Sequence, residues 1–482
     1  MGRLSASLGD APGEGCRSGI CVQATRRYGG ATGGVGVAFA EWLEHVWGAP
    51  PPAGFELGVV RRGDEPARRS RRVSPHDSSR GRRPIVFRTV IRSEAEAAAA
   101  AESLAARFRE DAAARDAANA NPDAEVAAIR EAGLLAIHIP IELGGAGLDW
   151  PTVMRVIRPI LRADASIGHV LAYHYVHSWR SLLNDQDARA RALLADTVTH
   201  QWFWGGAGNP RDEGLVLTPD GDGYRVSGRK FFATGSSVAD RITASGAVAG
   251  TEDKLAIVID GRATGVTHHL DWSSIGQRLS ASGSVSFDDV FVPAEHVLGP
   301  SDQDGEGYRP YASLSILFFQ LLLSHLHVGI AEGALDEAIY YLKTATRPWA
   351  TSGVSSAVED PYLLEIAGEL IAQTRASDAL VERATDRAAA AVARGWALTD
   401  DERGELAVEI TAAKVASTRM VLDVTTKAFE LTGARATSTR LGFDRFWRNA
   451  RTITLHDPVV YKARELGEWA LQGRHATPSR YS

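Results

Sequence analysis

Cysteine is almost missing from this chain. Of 482 residues only Cys16 and Cys21 are cysteines, so neither a disulfide framework nor a cysteine-based metal site is expected beyond that segment. A reducing cytoplasm fits that usage. Methionine is nearly as scarce, with three in all, and the first after Met1 is Met154. Neither sign of charge dominates: 53 Lys and Arg stand against 59 Asp and Glu, a formal net charge of −6. That balance gives the molecule no electrostatic reason to seek nucleic acid. The first 35 residues lack an apolar h-region, so no secretory leader is expected. One run, Leu314 to Ala331, is long and apolar. It carries Gln320, His325 and His327, which fit a buried bundle helix better than a membrane span. No metal is expected either. His174 and His177 share a helix face, but no suitably spaced carboxylate completes a set with them or with His169.

What is present is ordinary for a globular chain: 44% hydrophobic and 23% charged residues. The length suggests about three domains. Residues 1–90 are Gly-, Pro- and then Arg-rich with poor hydrophobic periodicity, and read as a disordered or non-native extension. A start near Val90 would precede the first convincing helix. GGATGGVG within that stretch lacks the GK[ST] ending of a phosphate loop.

Residues 91–198 read as a helical domain. Ser93 and Glu96 form a capping box that opens an Ala-rich helix to about Ala118. Further helices are expected after Pro122, from Pro151, and over Ser166 to Leu183. Residues 199–304 read as a β-domain, with a hairpin at LVLTPDGDGYRVSGRKFF and strands at KLAIVID and GSVSFDDVFVP. Residues 305–482 read as a four-helix bundle: Tyr308–Thr346, a helix capped by Asp360-Pro361, one opened by the Thr399/Glu402 capping box, and a last one over Asp457–Leu471.

Four ordered strings in that layout carry a family likeness: GLLAIHIPIELGGAGLDW, GYRVSGRKFFATGSSVAD, HVGIAEGALDEAIYYLKTATR and TGARATSTRLGFDRFWRNARTITLHDPV. Together they resemble the acyl-CoA dehydrogenase superfamily from about residue 93 onward. RPWATSGVSSAVEDPY, LTDDERGELAV and GFDRFWRNARTITLHDPVVYK resemble the branch of dibenzothiophene monooxygenase and related sulfur-acquisition oxidoreductases. The resemblance implies a mainly α fold with a central β-barrel, an N-terminal helical domain and a C-terminal four-helix bundle, assembled as a homotetramer. It also implies reduced FMN delivered by a separate NAD(P)H-dependent reductase, and O2 as oxidant through a flavin C4a-hydroperoxide. The substrate would be small and apolar, an organosulfur compound among the options.

The same resemblance assigns residues. His456, His169, Tyr173 and Thr234 match active-site positions, and Phe232 and Thr234 lie beside the flavin ring. Trp202 and Trp272 would wall the pocket, and His177 continues the stripe His169–Tyr173 at helical spacing, a pattern that is also that of a core. Gly206 stands where the branch has asparagine, which removes a donor and an acceptor and would enlarge the pocket. Arg347 and Arg435 match phosphate-binding arginines, the second supplied by a neighbouring subunit; a surface ion pair is the plainer role for either.

Two other classes stay open on sequence. One is an FAD-dependent acyl-CoA dehydrogenase, whose carboxylate base would fall at Asp457. The other is a binding protein whose Arg-rich segment contacts nucleic acid.

Overall fold

The computed structural model describes residues 90–184, 187–212, 214–301 and 308–482, so the N-terminal extension up to residue 89 lies outside the described residues. Ser93 caps α1 (Glu94–Ala118) by accepting from the Glu96 amide, while the Glu96 carboxylate takes the Arg92 amide at 2.7 Å. After it come α2 (Asp123–Glu131), α3 (Trp150–Ala163), α4 (Ala165–Trp179) and α5 (Asp187–His200). Asp149 caps α3, with Pro151 in its first turn. Asp164 caps α4 through the amides of Ser166 and Ile167. Every residue of α4 is buried, and Gly168 is obligatory there, because a Cβ would lie 2.5 Å from the Leu161 side chain.

The strands are β1 (Trp204–Ala207), β2 (Leu215–Asp220), β3 (Gly223–Lys230), β4 (Arg241–Val248), β5 (Lys254–Asp260), β6 (Val266–His268), β7 (Val285–Val292) and β8 (Val297–Pro300). β2 and β3 form the expected hairpin, closed at Asp220 opposite Gly223, with Gly221 at φ 60° where the turn needs a left-handed residue. The ladder order is β6-β7-β3-β2-β4-β5-β8, with β1 added in parallel to β4. Among the described residues β6 and β8 do not pair, so the expected barrel is a sheet of eight strands with its two edges apart.

Helices α6 (Leu314–Thr344), α7 (Pro361–Arg394), α8 (Asp400–Thr432), α9 (Asp444–Ile453) and α10 (Val459–Gln472) complete the described chain. α8 sits centrally, packed on α6, α7 and α10. Helix α6 starts at Leu314 rather than at Tyr308; Pro310 has no amide to give and biases its predecessor away from helical backbone. Of the most apolar stretch of α6, 89% is buried. Its histidines are held inside the protein: His325 lies 2.8 Å from the Thr385 hydroxyl and 3.0 Å from Arg158, and His327 Nδ1 lies 3.0 Å from Ser417 while its Nε2 is buried without a partner.

Buried histidines give the fold a pH dependence. Burial is the leading cause that depresses the pKa of His138, His169, His174, His177, His325 and His327, with His174 at about 4 and His169 and His327 at about 3. The unfolded chain takes these protons near pH 6.5 and the folded chain does not, so stability falls as pH drops from 6.5 toward 4. Each histidine contributes up to about 1.4 kcal/mol per pH unit in that window. Denaturant midpoints should therefore fall steeply between pH 6.5 and 4.5; a flat profile would mean that these rings are protonated in the fold.

Candidate functional site

A cavity of about 520 Å3 lies among α4, β1, β4, the loops 231–235 and 272–282, the start of α6, the end of α9 and residues 480–481. Helix α4 contributes His169, Tyr173 and His177, spaced so that all three face the cavity. Their rings meet edge-on, His169 to Tyr173 at 4.4 Å and Tyr173 to His177 at 5.8 Å. Tyr173 and His177 also touch Phe319 of α6, at 5.0 and 5.1 Å. Burial, reinforced by Asp457, pushes the Tyr173 phenol up, so it stays protonated and can donate. His169 is neutral at working pH, depressed to about 3 by burial despite its bond to Gln277.

The two loops are held by their own backbone. Ala233 N–H donates to the Gly283 carbonyl and Gly235 N–H to the Ser280 carbonyl, both at 3.1 Å. Phe232 adopts φ 53°, a strained choice for an aromatic residue that its surroundings must enforce. Its ring meets Trp272 edge-on at 6.0 Å, and both rings line the cavity. Thr234 Oγ1 lies 2.9 Å from Ser282 Oγ, which lies 2.7 Å from Ser280 Oγ, giving a short hydroxyl chain along the wall.

Gln277 ties the second loop to the helices. Its backbone N–H donates to Asn449 Oδ1 of α9 at 2.6 Å, and its side-chain Oε1 lies 3.2 Å from His169 Nδ1. Gly276 is required by that approach, since a Cβ would lie 2.0 Å from the Arg448 carbonyl. Gln277 Nε2 and His169 Nε2 are buried with no hydrogen-bond partner. Nothing in the sequence singled out Gln277, because its role comes from a loop-to-helix contact 172 residues apart.

Gly206 lies on β1 in the cavity wall, and the pocket is not enlarged there. The His177 ring fills the space, with Cε1 2.0 Å from where a Cβ at 206 would be. His177 Nδ1 is fixed 2.7 Å from Thr243 Oγ1 on β4. Gly206→Ala should therefore lower unfolding free energy by about 1–3 kcal/mol through overpacking, and adding His177→Ala should recover part of it. Denaturant unfolding of the single and double variants checks this.

His456 also lines the cavity, and its side chain is 39% exposed. Its neighbour Asp457 does not line it. Asp457 is buried, accepting from Lys414 Nζ at 2.6 Å and lying 3.2 Å from His456 Nδ1. Burial works against the carboxylate's charge, yet the His456 bond and Lys414 hold its pKa below the usual range. Lys414, fully buried on α8, is pushed down to about 8 by burial, with Asp457 opposing. It also donates to Gln320.

Three expected site residues fall elsewhere. Trp202 is not in the cavity wall; its ring stacks on His200 at 5.0 Å and carries the Arg241 guanidinium 3.5 Å above it. Arg347 and Arg435 are exposed and outside the cavity, and among the described residues neither has a side-chain partner. In exchange the cavity gains residues that the sequence did not flag: Arg180, Arg211, Arg451, Arg480 and Tyr481.

The wall fits a reduced flavin: aromatic faces at Phe232 and Trp272, a row of hydroxyls, and two orphaned buried ring-edge partners in Gln277 Nε2 and His169 Nε2. Among known proteins, residues 92–184 match the family described as acyl-CoA dehydrogenase, N-terminal domain, and residues 321–460 the corresponding C-terminal domain. The chain is 41% identical over 391 residues to a probable FMNH2-dependent monooxygenase, SfnC, of Pseudomonas putida, covering 80% of this chain and 97% of that protein.

This chain belongs to the acyl-CoA dehydrogenase superfamily, in its flavin monooxygenase branch.

The solved structures agree with that placement. Methanesulfinate monooxygenase MsuC from Pseudomonas fluorescens superimposes with TM-score 0.76 at 39% identity, over 80% of this chain and 99% of that one. FMN-bound TdsC from Paenibacillus sp. A11-2 gives TM-score 0.76 at 39% identity, over 80% and 100%. Within this superfamily the position at Asp457 is where a dehydrogenase base was expected, and here that carboxylate is turned to Lys414.

Proposed function

We propose that this protein is the oxygenase of a two-component system. It takes reduced FMN from a separate NAD(P)H-dependent flavin reductase and uses O2 to oxygenate a small, largely apolar substrate, an organosulfur compound by preference. The observation that carries this reading is the pairing at 456–457: a histidine faces the cavity and the adjacent carboxylate is withdrawn into an ion pair with Lys414. A dehydrogenase needs a carboxylate within reach of the substrate's α-proton. An oxygenase needs a proton-handling group in a water-poor, flavin-lined space.

When bound, reduced FMN supplies the two electrons that activate O2, one oxygen atom going to substrate and the other to water. The residues of this chain do the rest. Phe232 and Trp272 would present apolar ring surface to the flavin, and Thr234, beside Ser282, would offer it a hydroxyl. His456, steered by Asp457, handles the proton, while neutral His169 and protonated Tyr173 present fixed hydrogen-bonding groups to the reacting centre. His177 over Gly206 shapes the substrate wall. Trp202 is not part of this set. Arg347 and Arg435 hold the flavin phosphate across the interfaces of a homotetramer, which explains why both are exposed and unpaired in a single chain. The working enzyme is cytoplasmic, with domains at 91–198, 199–304 and 305–482.

Arg347→Ala should weaken reduced FMN by about 10- to 100-fold, the loss of one charge-assisted contact of roughly 1.5–3 kcal/mol. Anaerobic calorimetry reads this directly, and unchanged affinity would remove Arg347 from the phosphate site. The same titration tests the function. Preference for reduced FMN over FAD, with no bleaching of bound flavin by acyl-CoA, is the expected result. A tightly held yellow FAD that acyl-CoA bleaches would make the protein a dehydrogenase.

A further inference from the structure

One polar side chain at the cavity wall takes no part in the chemistry assigned to its neighbours. Helix α6 brings Ile316, Phe319 and Gln320 to the cavity, at the i, i+3, i+4 spacing of a single helix face. The Phe319 ring touches Tyr173 and His177, so this face belongs to the wall that His177 and Gly206 shape. Gln320 is 4% exposed, on an otherwise apolar turn. Burying an amide there costs free energy unless both its oxygen and its NH2 are engaged.

Half of that amide is accounted for. Lys414 of α8 donates from Nζ to Gln320 Oε1, and also to Asp457 Oδ1 at 2.6 Å. An ammonium has hydrogens to give and no lone pair to offer, so it admits only the oxygen end of the amide. Chemistry therefore sets the sense of the side chain, with Oε1 toward Lys414 and Nε2 away from it. Among the described residues Nε2 has no hydrogen-bond partner. A glutamine that served only to complete the contacts of Lys414 would leave that NH2 stranded, whereas a molecule in the cavity gives it an acceptor. Lys414 is itself held by Asp457, whose Oδ1 also lies 3.2 Å from His456 Nδ1. One buried ammonium thus holds two groups of the cavity wall, the Gln320 amide directly and the His456 ring through Asp457.

We propose that Gln320 is a specificity-determining residue of this site: its Nε2 donates to a hydrogen-bond-accepting atom on an otherwise apolar substrate, and Lys414 is the positioning residue that holds the amide in that sense. The proposal rests on the monooxygenase reading and narrows its substrate. Ile316, Phe319 and Tyr173 take the apolar body. The donor is uncharged, so the atom it selects needs a lone pair and no charge. A molecule of the same shape without that atom leaves a buried N–H unpaired, which is how a buried donor rejects an isostere.

The test uses two probes alike in shape, acetophenone and α-methylstyrene, which differ in having a carbonyl oxygen or a CH2 at one position. Calorimetry with the full chain and FMN present gives the ratio of their affinities. Gln320→Met should shift that ratio about tenfold against acetophenone while leaving reduced-FMN affinity unchanged. Lys414→Met should shift it in the same direction although Gln320 is present, because the freed amide can turn. The double variant Lys414→Met/Gln320→Met should shift it no further than Gln320→Met alone. Where Lys414→Met does not fold, Lys414→Met/Asp457→Asn, which strands no charge, takes its place. An unchanged ratio in Gln320→Met, or no binding of acetophenone to the parent protein, would overturn the proposal. Lost reduced-FMN affinity at an unchanged ratio would make Gln320 a flavin ligand and overturn it too. A ratio that Gln320→Met shifts and Lys414→Met does not would overturn the positioning role of Lys414. Turnover of dibenzothiophene or ethyl methyl sulfoxide with an external reductase separates the two readings. Oxygenation with a ratio that ignores Gln320 overturns the donor and leaves the monooxygenase intact. A Gln320-dependent ratio with no oxygen transfer to any probe supports the donor and counts against the monooxygenase.

Discussion

His456→Phe should keep the fold and reduced-FMN binding and lose product formation by 10²–10⁴-fold, the usual scale of a general acid–base contribution. The phenyl ring fills the imidazole's place at the cavity wall but neither donates nor accepts. Electrons from the reductase should then appear as hydrogen peroxide instead of product. The neighbouring carboxylate gives the contrast. Asp457 does not line the cavity and acts only by steering His456 Nδ1, 3.2 Å away. Asp457→Asn should therefore reduce turnover of the folded fraction far less than His456→Phe. If Asp457→Asn abolishes turnover while His456→Phe leaves it nearly intact, the carboxylate carries the chemistry. Product and peroxide yields measured side by side decide between them.

The second large effect is on stability. Lys414 and Asp457 are both buried, 3% and 6% exposed, and lie 2.6 Å apart. Replacing one partner leaves the other charge in a low-dielectric interior, at about 3–5 kcal/mol. Lys414→Met and Asp457→Asn should each lower unfolding free energy by that order. The double variant Lys414→Met/Asp457→Asn should lose less than the sum, because no charge is left stranded. Because the folded-state pKa of Asp457 lies below its ordinary value, its contribution is present above about pH 4 and lost as pH falls below that. Denaturant unfolding of the three variants at pH 7 measures the coupling; strictly additive losses would mean that the pair does not interact.

Both effects fall on residues that the sequence made visible to different degrees. The α4 stripe His169, Tyr173, His177 was legible because an i, i+4 spacing fixes a common face whatever lies opposite. The caps at Ser93, Asp360 and Thr399 were legible because a cap is a local bond between residues at most three apart. The hairpin at Gly221 was legible for the same reason. What lay beyond the sequence was long-range. Gln277 matters through Asn449, Arg480 through the path of the last segment, and Lys414 through a carboxylate 43 residues away. Trp202 shows the reverse error: an aromatic beside a glycine-rich strand looks like a pocket wall, yet the next tryptophan, Trp204, goes inward and Trp202 turns to Arg241. Gly206 was read as space, whereas the ring of His177, from another element, occupies it.

The most direct test of the account is oxygen tracing. The protein, a flavin reductase, NADH and FMN are incubated under 18O2 with ethanesulfinate, ethyl methyl sulfoxide or dibenzothiophene, and products are weighed by mass spectrometry. The account predicts one 18O atom per turnover in the product of at least one probe, strictly dependent on reduced FMN and absent in His456→Phe. No label in any product, together with conversion of an acyl-CoA to its enoyl-CoA by the same protein, would contradict it.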